Sequence, residues 1–382
     1  MKNIFTNITA YLLATPLAIA AIPTSPLESE YTVVGTESVN TPYVINASGV
    51  LNIGSDTQGE GAMAFEYSSH SKVLSGSGTI NIGTEETAGV LYFRGTNSAF
   101  PTENYANILE FSGVMNIGAL GKFVIDQYMP STYSNIVRIG TMNLRGSLES
   151  NLIKTSNTYF GIKNLNAYAG SSITIKQHLC SYGNGVWNIY GGSYIMGKLR
   201  ARETSTINLI GEGAFADLSE ISLDGAATTL NMNLSDDAFV FNTLSFAYTS
   251  TLNIKFSATK NNSSLIIKNL IGKDGNFDPA KRYGNSIVLE NFANDTIFFD
   301  ETYDLRVVND SLEVTKNSAS FLISLKAFLG TKDGEELKGD WSLVFNEDLG
   351  YWALNNSAVP EPATIAAVLG ALALGLAIRR RK

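Results

Sequence analysis

The 382-residue chain carries 27 basic against 35 acidic side chains, a net charge of −8, with one cysteine and two histidines. The acidic balance excludes nucleic acid and anionic lipid as electrostatic partners. A single cysteine, Cys180, excludes an intramolecular disulfide and reads as a buried packing residue. Stability must then come from packing and from long backbone ladders. The wealth of Gly, Ser, Thr and Asn between apolar runs fits an exported β protein full of tight turns.

Residues 1–21 read as a secretory signal peptide. Lys2 gives a positive start, Ile8 to Ala21 is apolar, and Ala18-Ile19-Ala20 offers a small-x-small cleavage site. This leader implies the Sec translocon and signal peptidase as transient partners.

From residue 49 to 254 a small-x-apolar-Asn-apolar motif recurs nine times, centred on Asn52, Asn81, Asn116, Asn143, Asn164, Asn188, Asn208, Asn231 and Asn253. The spacings between these asparagines are 29, 35, 27, 21, 24, 20, 23 and 22 residues. Such periods mark stacked supersecondary units. In a strand the residues flanking each Asn share one face and enter the core, while the Asn points the other way, where its amide can bond the Asn of the next coil. Second apolar runs fall between the motifs at 63–67, 89–93, 107–111, 123–128, 171–176 and 239–244. The predicted fold is all-β: a right-handed parallel β-helix, or solenoid, over residues 22–257. An antiparallel β-sandwich is the alternative. The repeat style is similar to that of autotransporter passenger solenoids, without their C-terminal translocating barrel.

Beyond Ser257 the motif stops. Residues 258–356 read as a β-rich cap over the open solenoid end, whose unpaired edges would otherwise invite association. Hairpins are expected around Asn309-Asp310 and through Asn346–Gly350, and a helix over Ala319–Leu329. Trp341, Tyr351 and Trp352 read as cap packing, with a sugar-stacking platform as the other use.

The chain closes on Val359-Pro360-Glu361-Pro362, an uncharged run from Ala363 to Ile378, and Arg379-Arg380-Arg381-Lys382. Prolines on both sides of Glu361 bar a helix there and keep the stretch extended. The apolar run reaches roughly 24 Å as a helix, short for a hydrocarbon core of about 30 Å, and the basic cluster belongs on the cytoplasmic side. In these 24 residues, 359–382, the chain resembles the PEP-CTERM family of bacterial surface proteins. The resemblance implies recognition and cutting by an exosortase after transient anchoring in the inner membrane. It also implies a Gram-negative source and a destination at the cell surface, outer membrane or extracellular matrix. Removing both ends would leave 22 basic against 34 acidic side chains, a net charge of −12.

The search for chemistry is thin. His70 and His178 stand alone, and no zinc, phosphate-loop or serine-nucleophile pattern occurs. Polysaccharide-cutting β-helices would need paired acids, and Asp217, Glu220, Asp224, Asp236 and Asp237 are the densest group, with Arg200 and Arg202 near. Asp274-Gly275-Asn276-x-Asp278 lacks the full calcium-loop pattern and reads as a turn. No catalytic residue, metal site or cofactor is assigned. The expected role is a surface structural or adhesive protein, with extracellular polysaccharide as a candidate partner. A polysaccharide-active lyase or hydrolase and a glycan- or ice-binding module are the alternatives.

Overall fold

The computed structural model describes residues 22–67, 73–95, 109–126, 137–150, 159–211, 218–225, 227–234, 238–247, 249–257, 263–272, 284–300, 304–316 and 319–360. The expected signal peptide, Glu361, Pro362, the apolar run and the basic tail lie outside the described residues. Among the described residues the chain is all-β, and no helix is long and apolar enough to cross a membrane. Two compact units divide it: Met1–Asn231 with Ser245–Ser250, and Met232–Leu244 with Thr251–Lys382.

The first unit is built of parallel ladders to which the chain returns once per repeat, an arrangement consistent with a β-solenoid. One ladder runs Glu30–Val33, Val50–Ile53, Thr79–Ile82, then through Leu109–Ile117, Val137–Leu144, Tyr159–Ala167, Val186–Tyr190 and Thr206–Ile210. A second joins Gly35–Val39, Gly61–Tyr67, Gly89–Gly95, Gly121–Asp126, Ser147–Ser150, Ser172–Ser181, Tyr194–Ala201 and Leu218–Leu223. A third begins at Tyr43–Ile45 and Leu74–Gly76 and enters the early part of Leu109–Ile117. This pairing is not that of an antiparallel sandwich.

The period of two decides what is inside. In the first ladder Leu51, Ile53, Ile80, Ile82, Met115 and Ile117 are all but fully buried, each flanking a half-buried Asn. Phe65, Phe93, Phe123 and Phe160 follow one another through this core with ring centroids 5.2, 5.7 and 6.2 Å apart. Trp187, the largest of the fully buried side chains, satisfies its indole N–H on the Ile162 carbonyl at 2.9 Å. Cys180 is buried, as expected for a packing residue.

The residue opening each motif explains the tight coil corners. An added Cβ at Gly113 or Gly185 would lie 2.0 Å from the Gly78 carbonyl oxygen or 1.9 Å from that of Lys163. Glycine is required there because backbone meets backbone. Later motifs open on Ser or Thr, whose buried hydroxyls find partners: Ser205 donates to the Arg202 carbonyl, and Thr228 bonds Ser250 at 2.8 Å.

In the second unit parallel pairing continues past Ser257, where the Asn motif stops. Thr251–Phe256 pairs with Asn285–Glu290, which pairs with Ala319–Phe328, and Ala238–Phe241 pairs with Ser264–Ile267 and then Ile297–Asp300, all parallel. Antiparallel hairpins are added to these. Asp304–Val308 meets Ser311–Lys316 across Asn309, whose φ of 52° suits the tight turn, and Trp341–Asn346 meets Tyr351–Asn356 with Gly350 at φ 71°. The expected helix over Ala319–Leu329 is instead the strand Ala319–Phe328. Phe321, Ile323, Leu325 and Ala327 are buried and alternate with less buried residues, a period of two that outweighs helix propensity.

Candidate functional site

The most regular polar feature is a row of side-chain amides on the outer side of the first ladder. Asn81 donates to Asn52 at 2.7 Å, Asn116 to Asn81 at 2.8 Å and Asn143 to Asn116 at 2.8 Å. The row goes on through Asn166 to Asn143 at 2.8 Å, Asn188 to Asn166 at 2.9 Å, Asn208 to Asn188 at 2.8 Å and Asn231 to Asn208 at 2.7 Å. Every donor points back to the preceding coil, so the bonds are aligned head to tail and polarise one another. At the start, Asn52 donates to Glu30 at 2.7 Å and to Thr32 at 3.3 Å.

Seven of the nine expected asparagines stand in this row. Asn164 does not, and this is a correction. Asn143 faces Asn166, while Asn164 faces Thr141, to which it donates at 3.4 Å. Lys163 occupies the corner position that Gly140 holds one coil earlier, so the small residue opening the motif is missing and the pattern slips by two. The ladder's own spacings there, 23 and 22 residues, are more even than the 21 and 24 obtained through Asn164. That evenness is the signal that identifies Asn166. For the ninth, Asn253, in the second unit, the residue facing it in the following strand is Val288.

Beside the first four amides lies a groove of about 620 Å³. Its floor is Asn52, Asn81, Asn116 and Asn143, and its walls include Asp56, Thr57, Thr84, Arg145 and Tyr168. Two places after each of the first five ladder asparagines the strand has just ended. In the first three coils that place holds Gly54, Gly83 or Gly118, which line the groove with backbone alone; an added Cβ would lie 2.4 Å from the Ala88 carbonyl oxygen at Gly54 and 2.6 Å from that of Gly83 at Gly118. Gly54 and Gly83 also take φ of 78° and 60°, which favour glycine. In the fourth and fifth coils the position holds Arg145 and Tyr168, which close the groove. Arg145 lies over the Tyr168 ring at 4.3 Å, and Tyr168 stacks on Tyr190 at 5.5 Å with the rings 4° from parallel. On the flank, Asp56 accepts from the Thr84 hydroxyl and, at 2.7 Å, from that of Thr87. These bonds, Thr84's first, hold its carboxyl below the usual carboxylate range.

Of the candidate acids of the sequence, the two that are described are each engaged by a basic side chain. Asp224 is engaged by Arg200 and accepts from Ser222 at 3.0 Å, while Glu220 meets Lys198 at 2.7 Å. Asp217, Asp236, Asp237, Asp274 and Asp278, with His70, lie outside the described residues. Among the described residues no group of three or more His, Cys, Asp or Glu side chains is placed to hold a metal. The two tryptophans expected in the cap divide. Trp341 is buried against Phe292 at 5.3 Å, whereas Trp352, 37% exposed, lies 5.3 Å from the 40% exposed Phe345.

Of the sorting motif, Val359 and Pro360 are described. Asn356 is buried, accepts from the Ala358 N–H at 2.9 Å and donates to the Gly339 carbonyl at 3.1 Å. The Val359 N–H bonds the Asn356 carbonyl at 3.1 Å, and Pro360 is exposed. Compared with known proteins, the chain matches no family model, no curated protein and no solved structure.

Proposed function

We propose that this chain is an exported surface or extracellular-matrix protein with a structural and adhesive role, and not an enzyme. Its body is a right-handed parallel β-helix with a C-terminal β cap. The handedness follows from the near-universal right-handed crossover between parallel strands. Its ends are a signal peptide and a PEP-CTERM sorting signal that an exosortase cuts. The observation carrying this reading is the way the folded body ends. The last hydrogen bonds of the hairpin close on Asn356 and Val359, and the chain reaches Pro360 in the open. A protease needs an accessible stretch of substrate, and Pro360, the first proline of the sorting motif, is exposed.

The long parallel ladders and the amide row support a passive role. Their hydrogen bonds resist local opening and so resist proteolysis outside the cell, while loops at the coil corners vary in length without disturbing the core. The test is the intact mass of the protein extracted from the surface of its native host. It should lack residues 1–20 or 1–21 and the C-terminal segment from Glu361 onward. A surface protein still ending in Arg379-Arg380-Arg381-Lys382 overturns the exosortase reading. Glu361→Ala should leave membrane insertion intact and block release.

A further inference from the structure

We infer that the groove over Asn52, Asn81, Asn116 and Asn143 is a binding site for a neutral linear glycan lying along the amide row. The inference deepens the adhesive reading above and rests on the chain being displayed outside the cell.

An Asn amide has two N–H donors and two acceptor lone pairs. At Asn81 and Asn116 the row uses one donor, to the coil before, and one lone pair, for the coil after. At these amides one donor and one lone pair are left for a ligand, repeated at about 4.8 Å, the spacing of neighbouring strands, while Asn52, which donates to both Glu30 and Thr32, offers a lone pair alone. A sugar hydroxyl also donates and accepts, and an extended glycan presents such hydroxyls at a comparable repeat. Four amides span about 14 Å, room for a short run of sugar rings, and the 620 Å³ of the groove falls within the range of ligand sites.

The groove is also formed in advance of any ligand. The floor amides are fixed by their neighbours, and Asp56 is held by the hydroxyls of Thr84 and Thr87. Both faces of Tyr168 are covered, by Arg145 and Tyr190, so the end wall is a rigid stack. A ligand therefore finds polar groups whose ordering cost is already met. Charge selects the class. Asp56 on the flank disfavours an anionic polymer, and the lone guanidinium of Arg145 already has Glu85 at 4.0 Å.

The test uses the full chain, purified in mild detergent and titrated calorimetrically with short neutral oligosaccharides of glucose, mannose and N-acetylglucosamine. Saturable one-to-one binding is expected for at least one of them. Thr57 is an exposed turn residue on the groove wall, so Thr57→Trp fills the trough without touching the row. Thr57→Trp and Arg145→Ala should each weaken binding about tenfold or more while leaving the thermal transition in place. No saturable binding to any neutral oligosaccharide, binding only to anionic polysaccharide or ice, or binding that both variants leave intact would overturn the inference. Because the titration does not depend on where the cell sends the protein, its failure is separable from a failure of the processing reading.

Discussion

Asn166 hands its side-chain N–H to Asn143 at 2.8 Å and receives that of Asn188 at 2.9 Å, which makes it a middle rung of the amide row. Asn166→Ala removes both bonds and leaves its two neighbours each short of a partner. At roughly 1 kcal/mol per net bond, this should cost about 1–2 kcal/mol. Asn164→Ala should cost less, because its bond to Thr141 is long at 3.4 Å and its bond from the Val186 N–H is exposed. Denaturant melts of the two variants check the order, and an equal or greater loss at Asn164 would contradict the placement of the row.

Glu37 is a carboxyl inside the first unit's core. It is 3% exposed, stands opposite Met63, and accepts from the Tyr31 hydroxyl at 2.7 Å through one oxygen while the other has no partner. Burial pushes its pKa above the ordinary carboxylate range, and the Tyr31 bond only partly opposes this. A carboxyl raised in the folded state favours folding when protonated. Its contribution is thus best below the ordinary Glu range and declines as pH rises through the raised value. Burial also raises Tyr43, and the Glu37 charge adds to it. Glu37→Gln keeps an acceptor for Tyr31 and removes the charge. It should raise the unfolding temperature by a few degrees at neutral pH and flatten the pH slope between acid and neutral. Thermal melts across that range provide the check, and a variant less stable at neutral pH would refute it.

Asp224 separates the structural reading of the acids from the catalytic one. Its side chain is 4% exposed and that of its partner Arg200 16% exposed. Asp224→Ala would take this carboxylate from the mostly buried Arg200 guanidinium and its acceptor from Ser222, a change costing about 3–5 kcal/mol. The expected outcome is a lowered melting temperature with no polysaccharide turnover in either protein, with or without calcium. Turnover present in the parent and lost in the variant at a temperature where both are folded would favour a lyase or hydrolase instead.

The coil spacing was legible because it rests on chemistry that sequence displays directly. Apolar residues two apart around a polar one can hardly be other than a half-buried strand, and Asn in that place marks an amide that stacks. The slip at Asn164 came from Lys163, which stands at a corner where other coils show a small residue. Ala319–Phe328 is a strand where a helix is expected, because Phe321, Ile323, Leu325 and Ala327 alternate with less buried residues. The groove was not legible at all. It depends on Gly54, Gly83 and Gly118 standing side by side in space, although 29 and 35 residues separate them along the chain. Only the register of the ladder brings those three glycines together.

The corner glycines give the sharpest test of that register. Gly185 does not need a positive φ, so alanine there meets no backbone strain of its own. Its difficulty is proximity: a Cβ would lie 1.9 Å from the Lys163 carbonyl oxygen and 3.0 Å from that of Tyr182, both backbone atoms that no rotamer change can move. The neighbouring coil would have to shift, and the strand pairs Leu165 with Trp187 and Asn166 with Asn188 lie within two or three residues of the contact. Overpacking of this kind costs roughly 1–3 kcal/mol. Gly59→Ala offers the matched control. It sits at φ 102° with nothing within 4 Å of the added Cβ, so it tests backbone strain alone on an exposed turn. Gly185→Ala should lower the midpoint of unfolding and increase hydrogen exchange at Trp187 and Asn188, whereas Gly59→Ala should leave exchange at those two amides unchanged. Unaltered exchange at Trp187 in Gly185→Ala would mean that the coils are not stacked in the register described.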